Sequence, residues 1–190
     1  MIGQLRATPN QLTLLRLIFI PLIVVLVVDG EYRWAFLLFV LAGITDGLDG
    51  VLARVLKQKT VLGQFLDPIA DKLLLSTMFL VFSFTHKIPW RITVVVFGRD
   101  VIIVLICGVL YMTGTLRDFR PNIYGKANTV AQILTVIFVF LDELSSSRLV
   151  TEIKELLFWL TFSLTVISAI LYVLKVQRQL GEPGLHATQP

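Results

Sequence analysis

The sequence predicts an all-α, polytopic membrane protein with six transmembrane helices. Three observations carry that prediction. Of 190 residues, 56% are hydrophobic and only 16% are charged, against about 25% charged in a soluble domain. Mean hydropathy is +0.82. The apolar residues also fall into six continuous runs, each near the ~20 residues that a bilayer requires. The runs lack the strict alternation of a β-barrel strand.

The first run, 11–29, follows Asn10, carries Thr13 and Arg16 in its opening turns and has Pro21 inside it. Proline there predicts a kink that makes room in a bundle. No small-residue cleavage site follows, so the run is not read as a signal peptide. Asp29-Gly30-Glu31 leads to the second run, 33–54. Residues 55–65 lead to the third, 66–85, where Pro68 suits a first helical turn. His86 to Pro89 precede the fourth, 90–113, with Arg99 and Asp100 near its middle. Residues 114–125 precede the fifth, 126–142, and 143–149 precede the sixth, 150–175. Residues 1–180 are expected to form one domain, and 181–190, with Gly181, Pro183 and Gly184, a loose tail. Cys107 is the single cysteine and lies in an apolar run, which reads as packing rather than a disulfide. Trp34, Trp90 and Trp159 fall near span ends, as interface aromatics do.

Charge orients the bundle. The net +4 is spread among loops, so it does not point to nucleic acid. Arg6, Arg54, Lys57, Lys59, Arg117, Arg120, Lys126, Lys175 and Arg178 fall on one side. Arg33, Lys87, Arg91, Arg148 and Lys154 fall on the other. Nine against five places both termini in the cytoplasm by the positive-inside rule. Asn10, Thr13, Arg16, Lys126, Asn128 and Gln132 then lie in cytoplasmic halves of their spans and are expected to converge on one cavity.

Four aspartates occupy the same halves: Asp46 and Asp49 in the second run, Asp67 and Asp71 in the third. Spacings of i, i+3 and i, i+4 put each pair along one helix face. A carboxylate at a span centre costs at least ~2.5–3.5 kcal/mol, and four so close repel one another. Divalent cations between them would resolve both problems. The donors are all hard oxygens, which selects Mg²⁺ or Mn²⁺ over zinc or copper. A pair of such ions suits displacement at phosphorus. Acidic residues within spans also mark ion paths, so a cation transporter is the competing class. Against it, no second polar layer continues toward the other side.

The residues around the aspartates fit phosphate chemistry. Gly50 allows a ligand close to the backbone, and Ala53 is small on the same face. Arg54 can grip phosphate through two donors. Thr60 offers a hydroxyl in the link, and Gly63 suits the turn into the next helix. Lys72 adjoins Asp71 but lies about 100° around the helix, which predicts a surface or partner-helix contact.

Together these residues read D-x2-D-G-x2-A-R-x8-G-x3-D-x3-D, from Asp46 to Asp71. That pattern resembles the signature of the CDP-alcohol phosphotransferase family at all eight positions. The wider likeness runs from Thr8-Pro9-Asn10 through Gly125-Lys126-Ala127-Asn128-Thr129. The resemblance implies that family's six-helix fold and transfer of a phosphatidyl group from CDP-diacylglycerol to an alcohol, with release of CMP. It implies Asp46, Asp49 and Asp67 as ligands of two Mg²⁺ ions. Asp71 would be the general base and a further ligand. It implies Asn10, Gly50, Ala53, Arg54, Thr60 and Gly63 around the CDP group, a homodimer, and an active site facing the cytoplasm. The opening segment and Gly125-Lys126 are similar to phosphatidylglycerophosphate synthases, whose acceptor is glycerol 3-phosphate. Arg99-Asp100 with Lys126 to Thr129 is also similar to cardiolipin synthases, which use phosphatidylglycerol. Arg99 and Lys126 are the candidates to bind either acceptor.

Overall fold

The computed structural model describes residues 8–55, 61–112, 123–145 and 147–181, with side chains for 14–45, 70–106, 123–145, 147–174 and 177. Each apolar run forms one helix: α1 Thr8–Val28, α2 Tyr32–Val55, α3 Val61–Phe84, α4 Trp90–Met112, α5 Ile123–Leu144 and α6 Arg148–Gly181. They hold 21 to 34 residues, or about 31 to 51 Å at the α-helical rise. No strand occurs among the described residues.

Two boundaries differ from expectation. Helix α3 starts at Val61 rather than 66. Gly63 therefore lies in its first turn and not before it, and Pro68 lies in the interior, not the first turn. Apolar Val61 and Leu62 extend the helix backwards past the expected start. Helix α6 continues past 175 to Gly181, because Val176 to Leu180 contain no breaker and glycine is a common stop.

The short links are closed by local hydrogen bonds. After α1, Gly30 has φ +80°. Its N–H donates to Val27 O at 3.2 Å, and Glu31 N–H donates to Leu26 O at 2.8 Å. This paired pattern is the Schellman stop, which wants a left-handed residue. The same pattern ends α3, where His86 N–H meets Ser83 O and Lys87 N–H meets Phe82 O. There the left-handed residue is His86, with φ +60°, which carries a steric penalty that glycine avoids.

Helix α1 packs mainly on α2 and α3, and α6 on α5 and α4. Helices α2, α3 and α5 join the two groups. Phe140 of α5 is the centre of that junction, with ring centroids 5.4 Å from Phe36, 5.7 Å from Phe39 and 5.0 Å from Phe82. Ile23, Val27, Met78, Phe79, Val136 and Val139 bury around it. At the same end Lys87 Nζ donates to Glu143 Oε2 at 2.7 Å, and Lys154 pairs with Asp142. The hydrogen bond to Glu143 holds the Lys87 ammonium above its ordinary pKa. That contribution to stability is therefore present at neutral pH and fades only as pH rises through the raised value.

Among the described residues, helix α5 and residues Arg148–Leu174 of α6 are long and apolar enough to cross a membrane, and the parts of α1 and α2 whose side chains are described, Leu14–Val28 and Tyr32–Thr45, are apolar over shorter lengths. Ile18, Leu22, Val25, Val101, Val104 and Leu105 are exposed on the outside. Lys72 contacts the partner helix α4 through Asp100, as its helical angle predicted.

Candidate active site

The four aspartates are carried on two helix ends. Asp46 and Asp49 lie in the C-terminal half of α2, and Asp67 and Asp71 in the N-terminal half of α3. Only residues 56–60 separate the helices, so these halves share one end of the bundle. Gly50, Ala53 and Arg54 occupy the last two turns of α2, and Gly63 the first turn of α3. Asn10 lies in the first turn of α1. For these residues, and for Asp46, Asp49 and Asp67, the backbone is described and the side chain lies outside the described set. Thr60 lies outside the described residues.

Asp71 is described in full, and it stands on a cleft of about 370 Å³ between α2, α3 and α5. The walls are apolar and partly small: Ala42 and Gly43 on α2, Leu74 and Leu75 on α3, Ile133 and Ile137 on α5. Helical register extends two of these walls toward the aspartates. Asp46 follows Ala42 by four residues and Gly43 by three, so it shares their face of α2. Asp67 precedes Asp71 by four residues on α3. Asp71 is the acidic residue among the cleft's described lining.

A partner of Asp71 comes from a helix far away in sequence. Arg16 of α1 donates from Nη1 to Asp71 Oδ1 at 2.9 Å. A cation inside an apolar run calls for a counter-charge, and that rule was the available signal. Its partner lies 55 residues away, which local spacing cannot show.

The two acceptor candidates sit differently. Lys126 is exposed in the first turn of α5. It precedes Thr129, a cleft residue, by three positions on the same face. Arg99 is mostly enclosed, with its side chain 12% exposed. Its Nη1 donates to Asp100 Oδ1 at 2.7 Å and its Nη2 to Ser168 Oγ at 3.2 Å. A Cβ on Gly125 would stand 3.3 Å from Arg99 Nη2, so glycine lets the guanidinium pass between α5 and α6. Asp100 Oδ1 also accepts from Lys72, so one carboxylate joins two cations.

The predicted convergence on one cavity needs correction for Asn128 and Gln132. Both are buried, and Asn128 Oδ1 accepts from Thr165 Oγ1 of α6 at 2.8 Å. Thr135 and Thr161 pair across the same seam at 2.8 Å. Polar side chains in a span can join helices as readily as line a cavity, and these join α5 to α6.

Among the described residues no three His, Cys, Asp or Glu side chains cluster as metal ligands. The candidate set is larger than that, because it includes Asp46, Asp49 and Asp67. Its chemistry fits a hard divalent cation: carboxylates from two helices at one bundle end, with Asp71 about half exposed beside the cleft.

Comparisons with known proteins show what the chain is similar to. The family model described as CDP-alcohol phosphatidyltransferase matches residues 6–167. The CDP-diacylglycerol--glycerol-3-phosphate 3-phosphatidyltransferase of Aquifex aeolicus is 33% identical over 174 residues, covering 88% of this chain and 94% of that one. The Bacillus subtilis protein of the same name is 30% identical over 184 residues, covering 88% and 93%. Human cardiolipin synthase (CMP-forming) is 32% identical over 146 residues, covering 67% of this chain and 48% of that protein.

Proposed function

The chain belongs to the CDP-alcohol phosphatidyltransferase family, and from that premise we propose that it transfers the phosphatidyl group of CDP-diacylglycerol to glycerol 3-phosphate. The observation that carries the reading is Asp71 on an apolar cleft, with Asp46 and Asp49 on α2 and Asp67 on α3, the same two helices. A lipid diphosphate needs such a neighbourhood: an apolar bed for an acyl chain beside a site for the charged head. Likeness to the Aquifex and Bacillus proteins over nearly their whole length supports glycerol 3-phosphate as the acceptor.

In this reading the acceptor hydroxyl oxygen forms a bond to the β-phosphorus of the donor. The bond from that phosphorus to the bridging oxygen breaks, and CMP leaves. Asp71 takes the hydroxyl proton. Asp46, Asp49, Asp67 and Asp71 would hold a pair of Mg²⁺ or Mn²⁺ ions. Bound there, such ions neutralise diphosphate charge and stabilise the charge that develops on displacement. Asn10, Gly50, Ala53, Arg54, Thr60 and Gly63 hold the CDP group. Lys126 and Arg99 hold the acceptor phosphate. Six spans and cytoplasmic termini complete the reading, supported by the apolar exterior and the charge bias; the family resemblance adds a homodimer.

A second acceptor, phosphatidylglycerol, is favoured by the likeness to human cardiolipin synthase. One experiment separates the two. Purified protein with Mg²⁺ and labelled CDP-diacylglycerol is given glycerol 3-phosphate, phosphatidylglycerol, inositol or serine in separate reactions. The expected products are phosphatidylglycerophosphate and CMP, from the first alone. Cardiolipin from the second would reassign the acceptor. CMP release with none of them would refute the transferase reading.

A further inference from the structure

The bulkiest fully buried side chain in the described structure is charged: Arg16 of α1. A guanidinium keeps its proton under all ordinary conditions, and burying it is costly unless it is paired. Arg16 Nη1 meets Asp71 Oδ1 at 2.9 Å, yet the partners differ in exposure, 0% for the Arg16 side chain and 48% for that of Asp71. The cation is sealed in protein, and the carboxylate is presented to the cleft. Helix α1 packs against both α2 and α3, the two helices that carry the aspartates, so it is a fixed backing for them.

We propose that Arg16 is a positioning residue, which holds the Asp71 carboxylate in one direction at the cleft. The proposal rests on the reading of Asp71 as the group that takes the acceptor proton. An aspartate has two side-chain torsions, and a grip on one oxygen fixes both. Each carboxylate oxygen has more than one lone-pair direction, so the grip is compatible with proton transfer. Lysine is a poor substitute, because it is a point charge on a flexible stem without the planar fork.

The test uses the purified full-length chain as wild type, Arg16→Lys, Arg16→Met, Asp71→Asn and the Arg16→Met/Asp71→Asn double variant. CMP release measures kcat and KM; melting without substrate measures the pairing independently. Arg16→Lys is expected to lower kcat about 10²-fold, the effect of a misplacement near 1 Å. Its KM for CDP-diacylglycerol should stay within about twofold, as expected when uniform binding is intact. Arg16→Met should lower the melting temperature, and Asp71→Asn in the same chain should restore much of the loss, because contacting residues are non-additive. A kcat for Arg16→Lys near wild type would overturn the proposal. So would melting losses that simply add, or a double variant that fails to fold as the single one does. A wild-type chain that releases no CMP while the melting losses are non-additive would refute the catalytic reading and leave the pairing standing.

Discussion

The two ends of the bundle are built on opposite principles. At one end Phe36, Phe39 and Phe82 close on Phe140, and the Lys87–Glu143 and Lys154–Asp142 pairs fasten the helix ends above it. Phe39 also lines the cleft that follows between α2, α3 and α5, and beyond it the same α2 and α3 carry aspartates. Helix α2 shows the change within one element: Phe36 to Ala42 is apolar, and Asp46 to Gly50 holds two carboxylates. The packed end ties α2, α3 and α5 together through Phe140.

Four variants would break or sharpen this division. The largest effect is expected from Asp71→Asn. It should lower kcat by 10² to 10⁴, roughly the worth of a general base, with CDP-diacylglycerol still bound; full activity would remove Asp71 from that role. Phe140→Ala acts at the packed end and should lower stability by about 3–5 kcal/mol, as truncation of a buried Phe does. A chemical-denaturation or melting series measures it. Activity per folded molecule should survive, and a large loss there would mean that the ends are not independent. Arg99→Ala should raise KM for glycerol 3-phosphate about tenfold, the scale of one lost charge-assisted contact, with a smaller effect on CDP-diacylglycerol. Equal effects on both substrates would make Arg99 a structural tie to Asp100 and Ser168. The smallest effect belongs to His86→Gly. Relief of the left-handed histidine at the α3 stop should raise stability by about 0.5–1 kcal/mol, read as a small rise in melting temperature with kcat unchanged.

Much of this was legible in the sequence, for reasons that are physical. Apolar runs of span length allow the backbone only one way to satisfy its hydrogen bonds, so the six helices could be read directly. The i, i+3 and i, i+4 spacings of the aspartates follow from helical geometry alone, as did the contact of Lys72 with a neighbouring helix. The rest depended on packing. Nothing local tells whether Asn128 faces a cavity or Thr165 of α6. Nothing local couples Arg16 to Asp71 through the contact of α1 with α3. Pro68 was expected in the first turn of α3, but apolar Val61 and Leu62 carry the helix further toward its N-terminus. The pairing of Asp100 with both Lys72 and Arg99 needed α3 and α4 side by side.

The central claim is that the acidic end holds divalent cations against the donor diphosphate. Direct titration of Mn²⁺ into the purified protein, followed by electron paramagnetic resonance, tests it without relying on turnover. The account predicts a pair of Mn²⁺ ions per chain, tightened by CDP-diacylglycerol. It predicts loss of that binding in an Asp46→Asn/Asp67→Asn variant whose melting temperature does not fall. Undiminished Mn²⁺ binding by that variant would contradict it.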